Sequence, residues 1–510
     1  MKIRSLKYLL LSTILVVLSL PIAAQDLEDF EDKVTEFTLD NGMTFIVVER
    51  HAAPVASFVT FVNVGGANEP VGNTGIAHIF EHMAFKGTES IGTTNWDKEE
   101  PILRKMDQAY QDWLNEQYKP NPDSASLDSK WEEFENLQEK SKNYVKNNEF
   151  SQIIELNGGT GLNAYTNSDE TAYFYSLPSN RAELWFSLES DRFKNPVFRE
   201  FYTEKEVVRE ERRMRTESSP QGRLIEEFLA VAYTAHPYGR PVVGWNSDIT
   251  ATTMEDAREF YNTYYIPSNI TIAISGDVDP KQIRKWAELY FGGIEGGKTA
   301  PPVTTIEPPQ RGERTFEIIG EAQPFYLTGY HTVNKQHVDA EAMNLLSSIL
   351  SNGRTSRLYK RLVEEDESAL AVVAFNGFPG EKYESLFLTF TVPNRGVELS
   401  TIEQTINEEI QKVKDGAITQ SELDRARTKA RADLVRSLDN NSGLALSLAK
   451  NEAQMGDWRT LFTRLEKLEN VTLEDLQRVA KTYLKKDNRT VGILKNKDSS
   501  ESGEVADAQQ

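Results

Sequence analysis

Alternating apolar and polar positions mark the first strands of the chain. The segment 34–49 predicts two strands joined at Asp40-Asn41-Gly42, a turn sequence typical of hairpins. Residues 54–64 alternate again and predict a third strand. A helix is expected to follow, with Asn73-Thr74-Gly75 as its N-cap and Phe85 near its end.

Two longer helical patterns lie between residues 96 and 149. Their apolar side chains recur at helical spacing and charged residues fill the other positions, which is typical of a solvated helical hairpin inserted between other elements. Further segments predict a strand region at 157–178, helices at 181–193, 202–214 and 253–264, and a buried strand at 270–275. Strands and helices therefore alternate through the first half of the chain.

The end of the chain repeats a pattern from its middle. Residues between Thr253 and Thr271 recur at a constant offset between Thr472 and Thr490, and each segment predicts a helix, a turn and a strand. This ungapped echo indicates duplication of a whole domain, the alternative being chance similarity between two amphipathic helices. A Gly/Pro-rich stretch between the copies predicts a linker. The expected N-terminal domain, linker and C-terminal domain are residues 25–291, 292–311 and 312–495.

Composition and charge narrow the classes of function. Of the 510 residues, 39% are hydrophobic and 26% are charged, which is a globular composition. The formal net charge of −21 opposes binding to nucleic acid and to anionic lipid. The chain has no cysteine, which excludes disulfides, Cys-ligated zinc, iron–sulfur clusters and thiol nucleophiles.

The two ends of the chain differ from the rest. A basic start precedes an apolar stretch to about Leu20 and the small residues Ala23-Ala24, the layout of a cleaved export signal over residues 1–24. The alternative is a membrane anchor, for which the apolar stretch is short. Residues 496–510 are polar or small and predict a disordered tail. We therefore expect an exported protein with no stable membrane span after cleavage, in the periplasm of a Gram-negative bacterium.

A pair of histidines on the first predicted helix carries the candidate chemistry. His78 and His82 are four residues apart, so they lie one above the other on a helix face and can share a metal ion. Glu81 projects from the same face and can reach a metal-bound water. This His-x-x-Glu-His order is the inverted zincin motif. The alternative is a capped helix with two surface histidines.

A third metal ligand must come from another part of the chain, because catalytic zinc keeps three protein ligands and one open position. A carboxylate-rich helical segment offers Glu204 and Glu211, which are two helical turns apart on one face. We choose Glu211 as the third ligand. Composition alone is equally consistent with a solvated helix face.

These segments resemble the insulinase/pitrilysin family of zinc metallopeptidases. The resemblance covers about residues 32–495 and rests on five motifs, at residues 75–88, 162–166, 204–211, 236–241 and 356–359. It implies an α+β fold of two homologous domains, each a mostly antiparallel sheet packed with helices, like the mitochondrial processing peptidase. It also implies a zinc endopeptidase that hydrolyses unfolded peptides and binds one Zn²⁺ per chain through His78, His82 and Glu211. In that site Glu81 is the general base, and Glu204 belongs to the catalytic set as a supporting carboxylate.

The resemblance also implies where substrate and partners bind. Asn163, Ala164 and Tyr165 match the edge strand that lines the family's substrate site, where an extended peptide would add as a further strand. Active members carry an Arg and a Tyr in a C-terminal domain, at positions that here hold Val363 and Leu370. Some bacterial members obtain this pair from a homologous partner. A heterodimer with such a subunit, or a homodimer, is therefore expected.

Two other functions stay open at this point. The first is a non-catalytic or partner-dependent subunit of a two-chain peptidase, although non-catalytic subunits usually lose the His-x-x-Glu-His residues. A periplasmic zinc-binding protein would need the histidines but not Glu81. The spacing from His82 to Glu211 is longer than in most members, by approximately the length of the inserted hairpin.

Overall fold

The computed structural model describes residues 30–497. The predicted export signal and the predicted tail from residue 498 onward lie outside the described residues. Between residues 30 and 497, no helix is both long enough and apolar enough to cross a membrane.

The described chain alternates strands and helices from end to end. Its strands are β1 (Val34–Thr38), β2 (Thr44–Glu49), β3 (Val55–Val62), β4 (Thr160–Thr166), β5 (Thr171–Pro178), β6 (Ile270–Gly276), β7 (Arg314–Gly320), β8 (Phe325–His331), β9 (Ala369–Phe378), β10 (Leu386–Pro393) and β11 (Arg489–Asn496). The helices of the first half are α1 (Ile76–Met83), α2 (Trp96–Gln117), α3 (Ser124–Lys142), α4 (Glu149–Leu156), α5 (Ala182–Lys194), α6 (Phe201–Arg212), α7 (Pro220–Ala232), α8 (Asn246–Ala251), α9 (Met254–Tyr264) and α10 (Pro280–Phe291). Those of the second half are α11 (Ala340–Ser351), α12 (Leu399–Lys414), α13 (Gln420–Asp439), α14 (Asn441–Met455), α15 (Thr460–Asn470) and α16 (Leu473–Tyr483), and π-helical turns span Arg213–Glu217 and Tyr359–Glu365.

The strands form two sheets of the same design. Their orders are β1-β2-β6-β3-β5-β4 and β7-β11-β8-β10-β9. In each sheet one pair is parallel, β2 with β6 and β7 with β11, and the remaining pairs are antiparallel. The α+β fold with two homologous halves is therefore confirmed, and β1 is an addition to the first half.

The sequence echo has a direct structural counterpart. Helices α9 and α16 both begin with a capping box, Thr253 with Asp256 and Thr472 with Asp475, in which side chains satisfy the first free amides. Each helix leads through a short 3₁₀ turn into a strand, α9 into β6 and α16 into β11. Each of these strands forms the parallel pair of its sheet, β6 with β2 and β11 with β7. The repeated helix–turn–strand segment therefore occupies the same place in the two halves of the fold.

Each half covers the outer face of the other half's sheet with one of its own helices. Helix α14 lies across β3 and β6, where Leu444 and Leu448 are buried with Val59 and Phe61. Conversely, α7 of the first half packs on β11 and β7 of the second sheet, with Phe228 at the centre of a buried apolar cluster. The two halves therefore share their outer cores, although residues 292–311 connect them as an extended segment.

The inserted hairpin is attached to both helices of the histidine and carboxylate motifs. Helices α2 and α3 bury Tyr110 and Phe134 against Tyr202 of α6. Arg199 and Glu99 form a fully buried ion pair with an N–O distance of 2.6 Å, and the same guanidinium donates to three carbonyls of the loop after α1. The hairpin therefore braces α1 and α6 against each other.

Candidate metal centre

Helix α1 is capped from outside the helix itself. The N-cap residue is Gly75 at φ 91°, a left-handed conformation that favours glycine, and no side chain of the Asn73-Thr74-Gly75 segment caps the helix. Instead, Glu69 accepts the backbone amides of Gly75 and Ala77, both at 2.9 Å. The predicted N-cap position is therefore confirmed at Gly75, but the group that accepts the free amides is the Glu69 carboxylate, because Thr74 Oγ1 donates to Asp248.

Three predicted ligands converge on one point. The Nε2 atoms of His78 and His82 are each 3.6 Å from the same Glu211 Oε2. One donor atom from each of the three residues lies within 4.8 Å of the other two. A helical turn of α1 and the end of α6, which are far apart in sequence, thus present two imidazoles and a carboxylate to one space.

These distances fit a shared metal ion better than direct hydrogen bonds. A contact of 3.6 Å is too long for a hydrogen bond. Tetrahedral zinc ligands at about 2.0–2.1 Å from the ion are separated from one another by about 3.4 Å. Burial lowers the pKa of His78 to about 4, so its imidazole is neutral at neutral pH, as a metal ligand must be. The donor set therefore fits a zinc ion.

His82 is oriented by a second carboxylate. Its Nδ1 lies 3.2 Å from Glu204 Oε2, which leaves Nε2 facing Glu211. Lys86 lies 2.6 Å from the other oxygen of Glu204 and also bonds Glu200. Burial opposes the charged form of Glu204, but the hydrogen bonds from His82 and Lys86 outweigh it and hold the pKa below its ordinary value. Glu204 thus contacts a ligand rather than the open side of the site.

Replacing Glu204 is expected to weaken metal binding. In Glu204→Gln the imidazole of His82 loses its charged partner and is oriented less firmly. We therefore expect zinc affinity to fall by about 10–100-fold. Competition with a chromophoric chelator measures this affinity. Glu206→Gln, an exposed carboxylate on the same helix that pairs with Arg209, is the control and should match the unmodified protein. Equal affinities for both variants would contradict the orienting role of Glu204.

Glu81 faces the same space from the side of β4. It accepts hydrogen bonds from the side chain and the backbone amide of Thr166, the last residue of that strand. Burial raises the pKa of Glu81, and the nearby Glu211 carboxylate adds to the rise while Thr166 opposes it. A raised carboxyl pKa brings Glu81 closer to the range in which a general base works best.

The predicted substrate strand is an edge strand. Strand β4 pairs with β5 alone, so its other side is open. Asn163 is exposed, and its side chain accepts the backbone amide of Ala164, whereas the Tyr165 hydroxyl donates to Glu170 at 2.9 Å. The outward amides of Ala164 and Thr166, two residues apart, therefore already have partners within the chain.

Several residues that shape the site were not predicted as site residues. Glu69 and Arg215 contact α1 or the ligand Glu211 from nearby in the sequence, whereas Thr166 and the Lys86–Glu204 pair join elements that are far apart along the chain. The two positions expected for an Arg and a Tyr carry apolar side chains here. Val363 packs against the second core, and Leu370 on β9 is largely exposed.

Two models of one family together match more than half of the chain. The model described as "Insulinase (Peptidase family M16)" matches residues 44–99 and 135–245, and the one described as "Peptidase M16 inactive domain" matches residues 251–430. The chain belongs to the insulinase family. The first model does not match residues 100–134, so most of the α2–α3 hairpin is an insertion relative to that family model.

Relatives of this insulinase-family chain cover it almost completely. A Helicobacter pylori protein named zinc protease PqqE is 29% identical over 95% of this chain and 97% of its own length. The solved structure of a protease from Helicobacter pylori has a TM-score of 0.75 and 27% identity, covering 91% of this chain and 99% of that one. The periplasmic protease PqqL from Escherichia coli shares the fold at a TM-score of 0.67 and 17% identity, over 92% of this chain and 48% of that one.

Proposed function

We propose that this protein is a zinc-dependent endopeptidase that hydrolyses peptide bonds in unfolded peptides. The observation that carries the proposal is the approach of His78 Nε2 and His82 Nε2 to one oxygen of Glu211 at equal distances, with Glu81 facing the same space. Membership of a peptidase family and relatives named zinc proteases support it.

His78, His82 and Glu211 would hold the ion. Bound zinc would supply Lewis acidity toward the scissile carbonyl and lower the pKa of a water towards neutrality. Glu81 accepts a proton from the attacking water and delivers it to the amide nitrogen as the C–N bond breaks, which gives a carboxylate and an amine. Glu204 keeps His82 in place during this cycle.

An extended peptide is expected to bind along β4. Backbone hydrogen bonding to an open sheet edge is tolerant of sequence, which suits unfolded substrates. The peptide would take the Ala164 amide from the Asn163 side chain, and Tyr165 stays tied to Glu170. Asn163, Ala164 and Tyr165 thus become the proposed substrate-binding residues.

The proposed compartment is the periplasm of a Gram-negative bacterium. The basic and apolar start of the sequence supports export. A solved neighbour of the same fold is itself named a periplasmic protease.

Metal removal tests the function directly. Dialysis against 1,10-phenanthroline is expected to abolish cleavage of an internally quenched peptide, and one equivalent of Zn²⁺ per chain is expected to restore it. Activity that persists in zinc-free protein would contradict the proposal. Tight zinc binding without any cleavage would favour a zinc-binding protein or a non-catalytic subunit, and activity that appears only with a homologous second chain would favour a partner-dependent one.

A further inference from the structure

Arg215 lies at the rim of the metal centre, in the π-helical turn that follows α6. Its Nη1 is 2.5 Å from Glu211 Oε1, whereas the two histidines face the other oxygen of that carboxylate. The Arg215 side chain is 75% exposed and the Glu211 side chain only 14%. One nitrogen of the guanidinium is therefore fixed beside the ligand while the rest of it faces solvent.

The position of Arg215 suits a developing negative charge. A guanidinium has five N–H donors in a rigid fork, and the contact with Glu211 uses one end of that fork. Burial lowers the pKa of His78, and the positive charge of Arg215 adds to that fall. A peptide carbonyl at the open side of these ligands would come within reach of the remaining donors.

Neither Lys86 nor the two positions that hold Arg and Tyr in active family members offers a free donor. Lys86 is held by the carboxylates of Glu200 and Glu204. Val363 and Leu370, in the second half, have no polar side-chain atom. The general base is anchored on β4 through Thr166, so Arg215 approaches from a different element, the turn after α6. Hydrolysis of an amide needs such a second donor, because the carbonyl oxygen becomes an oxyanion.

We propose that Arg215 is a catalytic residue that donates a hydrogen bond to the scissile carbonyl oxygen as it becomes an oxyanion. The inference rests on the proposed peptidase function and deepens it, because it assigns the second electrophilic donor to this chain. A single chain would then turn over peptide without a partner subunit. The competing role is an exposed ion pair four residues from Glu211 that only positions the ligand, and such pairs contribute little to stability.

Two variants and a matched control separate these roles in the zinc-loaded full-length chain. In Arg215→Gln we expect kcat for an internally quenched peptide to fall by about 100–1,000-fold, with KM changed by less than about threefold. Arg215→Lys is expected to recover part of kcat, because it keeps the charge but not the fork. Arg213→Gln is the control, since Arg213 is 62% exposed, lies in the same turn and pairs with Glu210. It should leave kcat unchanged.

Binding measurements give a readout that does not depend on turnover. A phosphinic peptide carries a tetrahedral anion in place of the scissile carbonyl, so its affinity for Arg215→Gln should fall by the same factor as kcat/KM. The zinc dissociation constant, measured by chelator competition, should stay within about threefold of the unmodified value, because the Arg215–Glu211 pair is largely exposed on the Arg215 side and is screened by water.

Three outcomes would overturn the assignment. They are an unchanged affinity for the phosphinic peptide, an equal loss of kcat in Arg213→Gln, and weaker zinc binding in Arg215→Gln with full kcat once the metal is saturated. If the unmodified chain cleaves no peptide at all, the proposed function fails instead. The phosphinic peptide would still show whether Arg215 binds an anion beside the metal.

Discussion

The Glu81→Gln variant is expected to bind zinc normally and to lose about a thousandfold in kcat, within the range that general base catalysis contributes. Glutamine has nearly the shape of glutamate and can still accept the hydrogen bonds from Thr166, so the helix and the ligands should keep their positions. It has no basic oxygen to take a proton from water. The measurement is steady-state cleavage of an internally quenched peptide, together with zinc content by atomic absorption.

This variant also separates a peptidase from a protein that only binds zinc. A zinc-binding protein would show no dependence on Glu81 in any zinc-linked property. Glu210→Gln is the matched control, because Glu210 is a half-exposed carboxylate next to a ligand and pairs with Arg213 away from the metal site. Retained turnover in Glu81→Gln, or an equal loss in Glu210→Gln, would refute the role of Glu81 as general base.

Removing Glu211 is expected to have the largest effect on metal binding. In Glu211→Ala the two histidines lose the carboxylate that lies 3.6 Å from both of them, so zinc affinity should fall by well over the roughly 100-fold that loss of an outer partner costs. The metal-free variant should still fold, because the Arg215 left behind is largely exposed to water. Chelator competition measures the affinity.

A thermal measurement provides a second readout for Glu211. A ligand that binds only the folded state raises the unfolding temperature by an amount that grows with the logarithm of its concentration divided by Kd. Saturating zinc should therefore raise Tm of the unmodified chain and of Glu210→Ala, but not that of Glu211→Ala. If Glu211→Ala binds zinc as tightly as the control, the third ligand is a different residue, and the convergence at Glu211 Oε2 has no role in metal binding.

The sequence predicts the position of the edge strand β4 but not its hydrogen-bond partners. Alternation and turn residues locate strands, because side chains in a strand point to opposite faces with a period of two. They do not reveal that the Ala164 amide is held by Asn163 or that Thr166 bonds Glu81. Those contacts depend on which helix packs beside the strand, and nothing local specifies that neighbour.

Local spacing by itself determined the histidine pair and the repeated helix–turn–strand unit, because helix periodicity and capping act over a few residues. The resemblance of motifs along the whole sequence to the insulinase family predicted the α+β fold of two homologous domains. Tertiary structure decided which group each carboxylate contacts. Glu204 turns to His82, Glu211 to both histidines, and Glu69 caps α1 from a preceding loop. It also placed α14 of the second half on the first sheet and α7 of the first half on the second sheet. The positions of these two helices follow from burial of apolar faces between segments far apart in the sequence, which no short-range pattern encodes.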